Sequence, residues 1–157
     1  MFAIKSICYS NKFSNFTYNN RNMRIYTSYF GNSRKLLQAG IKVIGIALYP
    51  PKRFYGISMK QVSPTKSILF AKDQTEEEYI RRYKSEVLAH QDMHQFLRAV
   101  EAVSNGKDVA LCCYEKPEDF CHRHVLAEWI KEKTGIEIKE FGYVPKKEPE
   151  YVQGSLF

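Results

Sequence analysis

The sequence predicts an α/β fold: a single layered domain in which a mainly parallel sheet is flanked by helices. Strand-like and helix-like segments alternate along the chain, an order that is typical of parallel sheets. The run IKVIGIALY at 41–49 is almost continuously apolar, as expected of a strand that is buried on both faces. The length of 157 residues, 44% of them hydrophobic, fits one domain with one core.

Three regions are expected along the chain. Residues 1–22 contain five asparagines and no sustained hydrophobic period, so we expect an irregular N-terminal arm, and Met23 offers an alternative start. Residues 23–144 are expected to form the α/β domain. Residues 145–157 begin with the polar, proline-containing stretch PKKEPE, which predicts a flexible tail because little of it favours burial.

The domain is expected to open with a strand and a short helix. The strand is RIYTSYF at 24–30, and the helix is RKLLQA at 34–39. Ser33 precedes this helix and is of a type that caps helix N-termini. Gly40 follows the helix, where glycine favours a C-cap.

The second strand and a long loop come next. The strand covers 41–49, and Pro50-Pro51 ends it. Residues 51–73 are basic and irregular, which predicts a loop, and loops of such length in compact domains are often functional.

A long helix is expected to follow this loop. Thr75 and Glu78 have the spacing of a capping box, and the helical pattern continues over 76–91. Tyr79 and Tyr83 share one face of that helix, a position more typical of core residues than of ligand contacts.

Four further elements are expected in the second half of the domain. Asn105-Gly106 and Gly135 are expected to end the two helices among them. These elements are a helix at 93–104, a strand at 108–115, a helix at 120–135 and a last short strand at 136–144.

The stretch CCYEKPEDFCHRH at 112–124 contains three of the four cysteines and two of the four histidines. Strand periodicity places Cys113 and Glu115 on one face and Cys112 on the other. We therefore expect Cys112 to be a small buried core residue. Glu115 falls at the carboxyl end of the strand, where open α/β sheets bind their ligands.

The following helix is expected to begin beside this strand end. Asp119 is the candidate N-cap, which places Cys121, His122 and Arg123 in the first turn. Backbone N–H groups point outward in a first turn, and the helix dipole favours anions there.

Two chemistries suit this helix start. In an anion pocket, the N–H groups and Arg123 would hold a phosphate or carboxylate, and His122 would donate a further hydrogen bond. In a thiol enzyme, Cys121 would be the nucleophile, because a helix N-terminus and a neighbouring cation lower a thiol pKa. His122 and Glu115 would then transfer protons, and Arg123 would stabilise an oxyanion.

A metal site is a third possibility, with Cys113, Cys121 and either His122 or His124 as zinc ligands. The spacing C-x7-C-H lacks the paired knuckles of structural zinc sites, so this possibility ranks last. The expectation is therefore a site without metal or cofactor.

The segments RIYTSYF, EEEYIRRYKSEVL and ALCCYEKPEDFCHRHVLAEWI resemble domain-of-unknown-function family 488 (DUF488) over roughly residues 23–141. Members carry a C-x-E strand followed by C-H-R at the start of a helix. The resemblance implies a site but no particular reaction. The site positions that it implies are Cys113, Glu115, Cys121, His122 and Arg123, with Thr27 and Ser28 at the end of the first strand and Tyr79 and Tyr83 behind them as further ligand contacts.

The C-terminal pentapeptide QGSLF is similar to the motif by which bacterial replication and repair proteins bind the DNA sliding clamp. Gln153 would supply hydrogen bonds, and Leu156 and Phe157 would fill an apolar pocket. Gly154 departs from the leucine that the motif prefers, which weakens the expected affinity.

Composition limits the choice of partner and compartment. The chain has 24 Lys+Arg against 17 Asp+Glu, a net charge of +7, which favours nucleic acid or a nucleotide as partner. No run approaches the roughly 18 apolar residues of a membrane span. The N-terminus lacks a secretory signal, and few cysteines are present, so a reducing cytoplasm is expected.

These observations favour a small cytoplasmic protein of DNA or nucleotide metabolism. It would bind a phosphate or nucleotide at the C-x-E…C-H-R site, and its tail would recruit it to the sliding clamp. Two alternatives stay open. One is a thiol-dependent transferase or hydrolase that uses Cys121 on a nucleotide-like substrate, and the other is a non-catalytic module that sequesters such a ligand.

Overall fold

The computed structural model describes residues 23–144, which form a five-stranded sheet with the strand order β3-β2-β4-β1-β5. All four strand pairings are parallel, which confirms the predicted α/β class. The arm predicted for 1–22 and the tail predicted for 145–157 lie outside the described residues. The strands are β1 (Ile25–Tyr29), β2 (Lys42–Gly45), β3 (Ile57–Ser58), β4 (Val109–Cys113) and β5 (Lys139–Glu140).

Five α-helices surround this sheet within 23–144. Their bounds are α1 (Ser33–Gln38), α2 (Lys66–Leu69), α3 (Glu76–Glu86), α4 (Met93–Ser104) and α5 (His122–Thr134). Single turns of 3₁₀ helix cover Phe30–Asn32, Lys60–Val62 and Leu88–His90. None of the described helices has the length and apolar character that a membrane span requires.

The central strand β4 presents apolar side chains to both faces of the sheet. Val109 and Leu111 belong to the main core, and Ala110 and Cys112 belong to a second cluster on the other face. All four are fully buried. The predicted alternation and the predicted core position of Cys112 are therefore confirmed.

The helices form two layers because each presents an apolar stripe to one face of the sheet. Helices α3, α4 and α5 supply Tyr83, Leu97 and Leu126 to the main core, while α1 supplies Leu36 to the second cluster. Burial of one such large apolar side chain contributes about 1.5–3 kcal/mol. The main core thereby fixes α5, whose first turn carries the candidate site.

Residues 41–73 differ from the predicted long strand and irregular loop. Strand β2 ends at Gly45, although Ile46 and Ala47 remain buried beyond it. The predicted loop contains β3 and α2. Strand β3 was not predicted because two residues are too few for a period, and its pairing partner β2 is distant in sequence.

Helix ends are partly as predicted. Thr75 Oγ1 accepts a hydrogen bond from Glu78 N at 3.1 Å, and Asn105 has the left-handed φ of 56° at the end of α4. Two predicted N-caps are wrong. Ser33 is the first residue of α1, and its hydroxyl donates to Phe30 O at 2.6 Å. Asp119 lies two residues before the N-cap position of α5, which Cys121 occupies.

Candidate active site

A cavity of about 410 Å³ opens beyond the carboxyl ends of β2 and β4. Its volume lies within the roughly 300–1,000 Å³ of small-ligand sites. The thiol, imidazole and carboxyl groups that line the cavity lie together at its base. They belong to Cys113, Glu115, Cys121 and His122. Aromatic and apolar side chains form the remainder of the lining: Ala47, Leu48, Tyr49, Pro64, Leu69, Phe70, Tyr79, Tyr114 and Phe120.

Two adjacent chain ends bring the reactive groups together. Cys113 is the last residue of β4, and His122 is the first residue of α5. Cys121 precedes the helix in an extended conformation, with φ −150° and ψ 142°. The two cysteines and the histidine are each at least 95% buried, so the cavity is their route to solvent.

The orientation of His122 is fixed by a backbone carbonyl. Nε2 lies 3.0 Å from Ile46 O, and because a carbonyl only accepts, Nε2 must carry the proton. Nδ1 lies 3.5 Å from Cys113 Sγ and 3.8 Å from Cys121 Sγ. The ring also packs edge-on against Tyr83, with centroids 5.6 Å apart. Nδ1 therefore faces both sulfur atoms, where it can accept the proton of Cys121 and then donate a hydrogen bond to the resulting thiolate.

The two thiols differ in acidity. Hydrogen bonds from the Cys113 thiol and from His122 lower the pKa of Cys121 to about 3, against the opposing effect of burial. The same contact with Cys121, together with burial, raises the pKa of Cys113. Since the pair titrates as a unit, the first proton to leave it leaves Cys121. The site therefore holds one thiolate and one thiol.

Glu115 places a carboxyl group beside this thiolate. Its Oε2 is buried and has no hydrogen-bond partner among residues 23–144. Burial is the largest cause of a raised pKa for Glu115, and the neighbouring Cys121 adds to it. A carboxyl group in such surroundings keeps its proton at higher pH than usual and is then a hydrogen-bond donor.

Arg123 differs from its predicted role as an anion contact. It is fully buried, and Nε and Nη2 donate to the Glu140 carboxylate at 3.1 and 3.0 Å. Nη1 donates to Glu115 O at 2.7 Å. The guanidinium therefore does not line the cavity. It ties β5 to the turn that carries Glu115.

Glu140 is the acceptor at the centre of this buried network. Burial alone would raise the pKa of Glu140, but hydrogen bonds from His124, Arg123 and Thr27 outweigh it and lower the pKa to about 2. Thr27 Oγ1 donates to Glu140 Oε2 at 2.6 Å. Glu140 was not among the residues singled out in the sequence, because IEIKEF shows only a short strand pattern.

The remaining predicted site residues lie at different depths. Thr27 and Ser28 are buried behind the cavity, and Ser28 Oγ accepts from Asn32 Nδ2 at 3.2 Å. Tyr83 lies under His122, and its hydroxyl donates to Val62 O. Tyr79 lines the cavity. Of these four residues, the structure brings only Tyr79 to the cavity surface.

Cys113, Cys121 and His122 are also the residues that could hold a metal. Their ligand atoms all lie within 4.8 Å of one another, and no other such group occurs among residues 23–144. Two thiolates and one imidazole are a known donor set of catalytic zinc. The sequence ranked zinc last because of spacing, and the fold nevertheless brings these donors together.

The comparisons with known proteins add one finding to this geometry. The model of the family DUF488-N3a, described as the active DUF488-N3 subclade, matches residues 25–134. The chain belongs to the DUF488 family. The predicted resemblance is thereby confirmed, and the matched range includes every reactive group of the DUF488 cavity. No curated protein and no solved structure matches the chain.

Sequence reasoning missed the aromatic lining of the DUF488 cavity. Phe120 packs edge-on against Tyr79, with ring centroids 5.1 Å apart. Tyr49 and Phe70 lie nearer the opening, 6.4 Å apart. The available signal was the number of aromatic residues beside the C-x-E…C-H-R stretch and in the basic segment. That signal does not reveal which of the rings meet in one cavity.

Proposed function

We propose that this DUF488 protein is a thiol-dependent enzyme, a transferase or hydrolase that uses Cys121 on a nucleotide-like substrate. One observation carries the proposal. Two sulfur atoms approach Nδ1 of His122 within 3.8 Å, and Ile46 O fixes the tautomer of that histidine. A nucleophile, a base and a group that orients the base are the parts that covalent catalysis by a thiol needs.

The first step is a substitution at an electrophilic carbon of the substrate. The lone pair of the Cys121 thiolate forms an S–C bond, and the bond from that carbon to the leaving group breaks with its electron pair. Glu115 donates a proton to the leaving atom. A carboxyl group suits this task because burial raises the pKa of Glu115, so that it keeps its proton at higher pH than an ordinary glutamate does.

The second step releases the enzyme. The Glu115 carboxylate takes a proton from water or from an acceptor hydroxyl, whose oxygen attacks the same carbon. The electron pair of the S–C bond returns to Cys121, and Glu115 is again protonated. Water as attacking group gives a hydrolase, and a second substrate gives a transferase.

Arg123 and Glu140 are positioning residues in this proposal. The bond from Arg123 Nη1 to Glu115 O holds the turn between β4 and α5 at a fixed distance from β5. A buried bidentate pair is a rigid connection because both side chains lose their rotamer freedom. The pair thereby sets the separation of Glu115 from Cys121.

The lining of the cavity favours a planar ring as part of the substrate. Tyr79 and Phe120 line the same cavity as Cys121 and pack edge-on against each other, and aromatic pairs gain about 0.5–1.5 kcal/mol beyond their area burial. A nucleobase offers such a ring, and its ring nitrogens can pair with the unpartnered Oε2 of Glu115.

A chloropurine riboside is the probe for this proposal. The Cys121 thiolate is expected to displace chloride, so that intact mass spectrometry shows one added purine riboside and peptide mapping places it on Cys121. Cys121→Ser is expected to lose the label, and Cys112→Ser, whose thiol faces the second core cluster, is expected to keep it. Equal labelling of the two variants would contradict the proposal.

The sliding-clamp motif leads to a separate prediction about Gln153, Leu156 and Phe157, which lie outside the described residues. We propose that they recruit the protein to the clamp through a peptide-in-pocket contact. Removal of 153–157 is expected to abolish binding to immobilised bacterial clamp in surface plasmon resonance, while probe labelling of Cys121 is retained. Unchanged clamp binding by the shortened chain would show that the pentapeptide is not a clamp ligand.

A further inference from the structure

We propose that the cavity receives one base of a single-stranded nucleic acid, whose backbone crosses the basic segment 52–72. The inference rests on the proposed function, because it names the polymer in which the nucleotide-like substrate is found. Three observations carry it: an exposed aromatic rim, positive charge near the rim that the ion pairs found within 23–144 do not use, and a second depression that shares two lining residues with the cavity.

The rim consists of Tyr49, Phe70 and Tyr114. Their exposed fractions are 45%, 66% and 50%, which is high for large rings gathered around one opening. The rings of Tyr49 and Phe70 are tilted by 37°, and the Tyr114 hydroxyl donates to Tyr49 O at 2.6 Å. Exposed rings that are held in place are stacking platforms for bases that are not paired.

Positive charge lies close to this rim, in the segment 52–72 that contributes Phe70. Residues 52–72 contain five basic and no acidic side chains, and the ion pairs found within 23–144 use none of the five. Lys66 Nζ lies 6.0 Å from the centroid of the Tyr49 ring, at the edge of the rim itself. A single strand pairs such cations with phosphates while its bases stack on the rings.

A second depression of about 290 Å³ lies beside the cavity. The two share Leu48 and Pro64 as a common wall. The second depression is also lined by Lys60, Thr65 and His90, which offer donors to a phosphate. The carboxylate of Glu86, which lines it too, is paired with Arg82 at 2.8 Å. A strand with one base in the cavity would therefore have room for its neighbouring nucleotide.

A single strand fits these features better than a duplex. Cys121 is only 3% exposed at the base of the cavity, and a base held in a duplex cannot reach such depth without leaving its stack. A single strand avoids most of that unstacking and unpairing cost. Stacking does not distinguish deoxyribose from ribose, so the rim alone predicts binding of DNA and RNA alike.

Fluorescence anisotropy with labelled oligonucleotides tests the inference. Mixed-sequence single strands of DNA and of RNA are titrated beside the matching duplex and a mononucleotide. We expect the single strands to bind at least about tenfold more tightly than duplex or mononucleotide, with affinity that falls steeply with salt. Equal affinity for single strand and duplex, or for single strand and mononucleotide, would overturn the proposal.

Phe70→Ala and Leu37→Ala form a matched pair of variants. The two side chains are similarly exposed, at 66% and 65%, but Leu37 is on α1 and does not line the cavity. Loss of one stacking contact is expected to weaken single-strand binding by about 5- to 150-fold, and Leu37→Ala is expected to bind as the wild type does. Equal losses, or no loss in Phe70→Ala, would refute the rim as the binding surface.

Two measurements on the wild type, labelling of Cys121 and binding of oligonucleotides, separate this inference from the proposed function. If the wild type is labelled by the chloropurine riboside but binds no oligonucleotide, the inference fails and the proposed function stands. If oligonucleotides bind while Cys121 is not labelled, the proposed function fails and the inference of a single-strand binding surface stands.

Discussion

Replacement of Glu140 by glutamine is expected to lower the free energy of unfolding by about 3–5 kcal/mol, because it leaves a buried guanidinium without its counter-charge. Arg123 is fully buried and Glu140 is 8% exposed, with their closest atoms 3.0 Å apart. Urea unfolding followed by circular dichroism measures the change. The mutated side chain keeps nearly the same shape, so the loss reports on charge and hydrogen bonding rather than on a cavity.

An exposed ion pair supplies the matched control. Glu137 lies 4.0 Å from Lys131 on the surface, and Glu137→Gln is expected to change stability by at most about 1 kcal/mol. The double variant Arg123→Met with Glu140→Gln is expected to recover part of the loss, because no buried charge remains unpaired. A change below about 1 kcal/mol in Glu140→Gln would show that the pair does not stabilise the fold.

The low pKa of the Glu140 carboxyl group predicts how the stability of the protein depends on pH. Glu140 has a folded pKa of about 2, below the roughly 4.3 of an unfolded glutamate. A depressed folded pKa stabilises the fold above the unfolded pKa, and this contribution is lost as pH falls through the folded pKa. The advantage of the wild type over Glu140→Gln should therefore shrink between about pH 4.5 and 2.

The sequence predicted those features of the site that depend on local order. The two faces of β4 follow from a period of two, and this was enough to separate Cys112 from Cys113 and Glu115. The end of α5 follows from Gly135, which has a left-handed φ of 75°. Such patterns involve neighbours in the chain, so a single sequence contains them.

The role of Arg123 could not be predicted in this way. Its partner Glu140 is 17 residues further along the chain, on a strand that reaches it only because β5 pairs with β1. An arginine at a helix start has the same local pattern whether it faces a ligand or a buried carboxylate. Only the sheet order decides between the two, and sheet order is a non-local property.

The cavity depends on the same kind of information. Phe70 follows α2 and Phe120 precedes α5, and both residues line the cavity. Their identity as aromatic residues is visible in the sequence, but their convergence requires the path of residues 46–75 over the sheet. The reactive residues were therefore predictable, whereas the surface that selects a substrate was not.

The rate at which iodoacetamide alkylates Cys121 is expected to be nearly constant from pH 5 to pH 8. An ordinary thiol has a pKa near 8.5, so its alkylation rate rises by roughly 10³-fold over that interval. Cys121 has a pKa of about 3 and is fully ionised throughout. Time courses by mass spectrometry with peptide mapping measure this site alone, since the chain contains four cysteines.

The pH profile is a sharper criterion than the rate at neutral pH. Thiolate nucleophilicity falls with pKa, with a Brønsted coefficient of about 0.4–0.5, so a lowering by more than five pKa units costs roughly 10²-fold or more in intrinsic reactivity. At pH 6 to 7 the larger ionised fraction of Cys121 raises its observed alkylation rate by about the same factor. A Cys121 rate similar to that of free cysteine at pH 7 is therefore compatible with a thiolate, whereas a tenfold rise per pH unit is not.

Two neighbouring cysteines provide the decisive variants. Cys113→Ala removes the hydrogen bond that contributes most to the low pKa of Cys121, so a rise of the alkylation rate with pH is expected to reappear. Cys112→Ala removes the adjacent thiol on the other face of β4 and is expected to keep the flat profile. If both variants keep it, the acidity of Cys121 comes from His122 and the start of α5. A shared proton between the two sulfurs would then play no part.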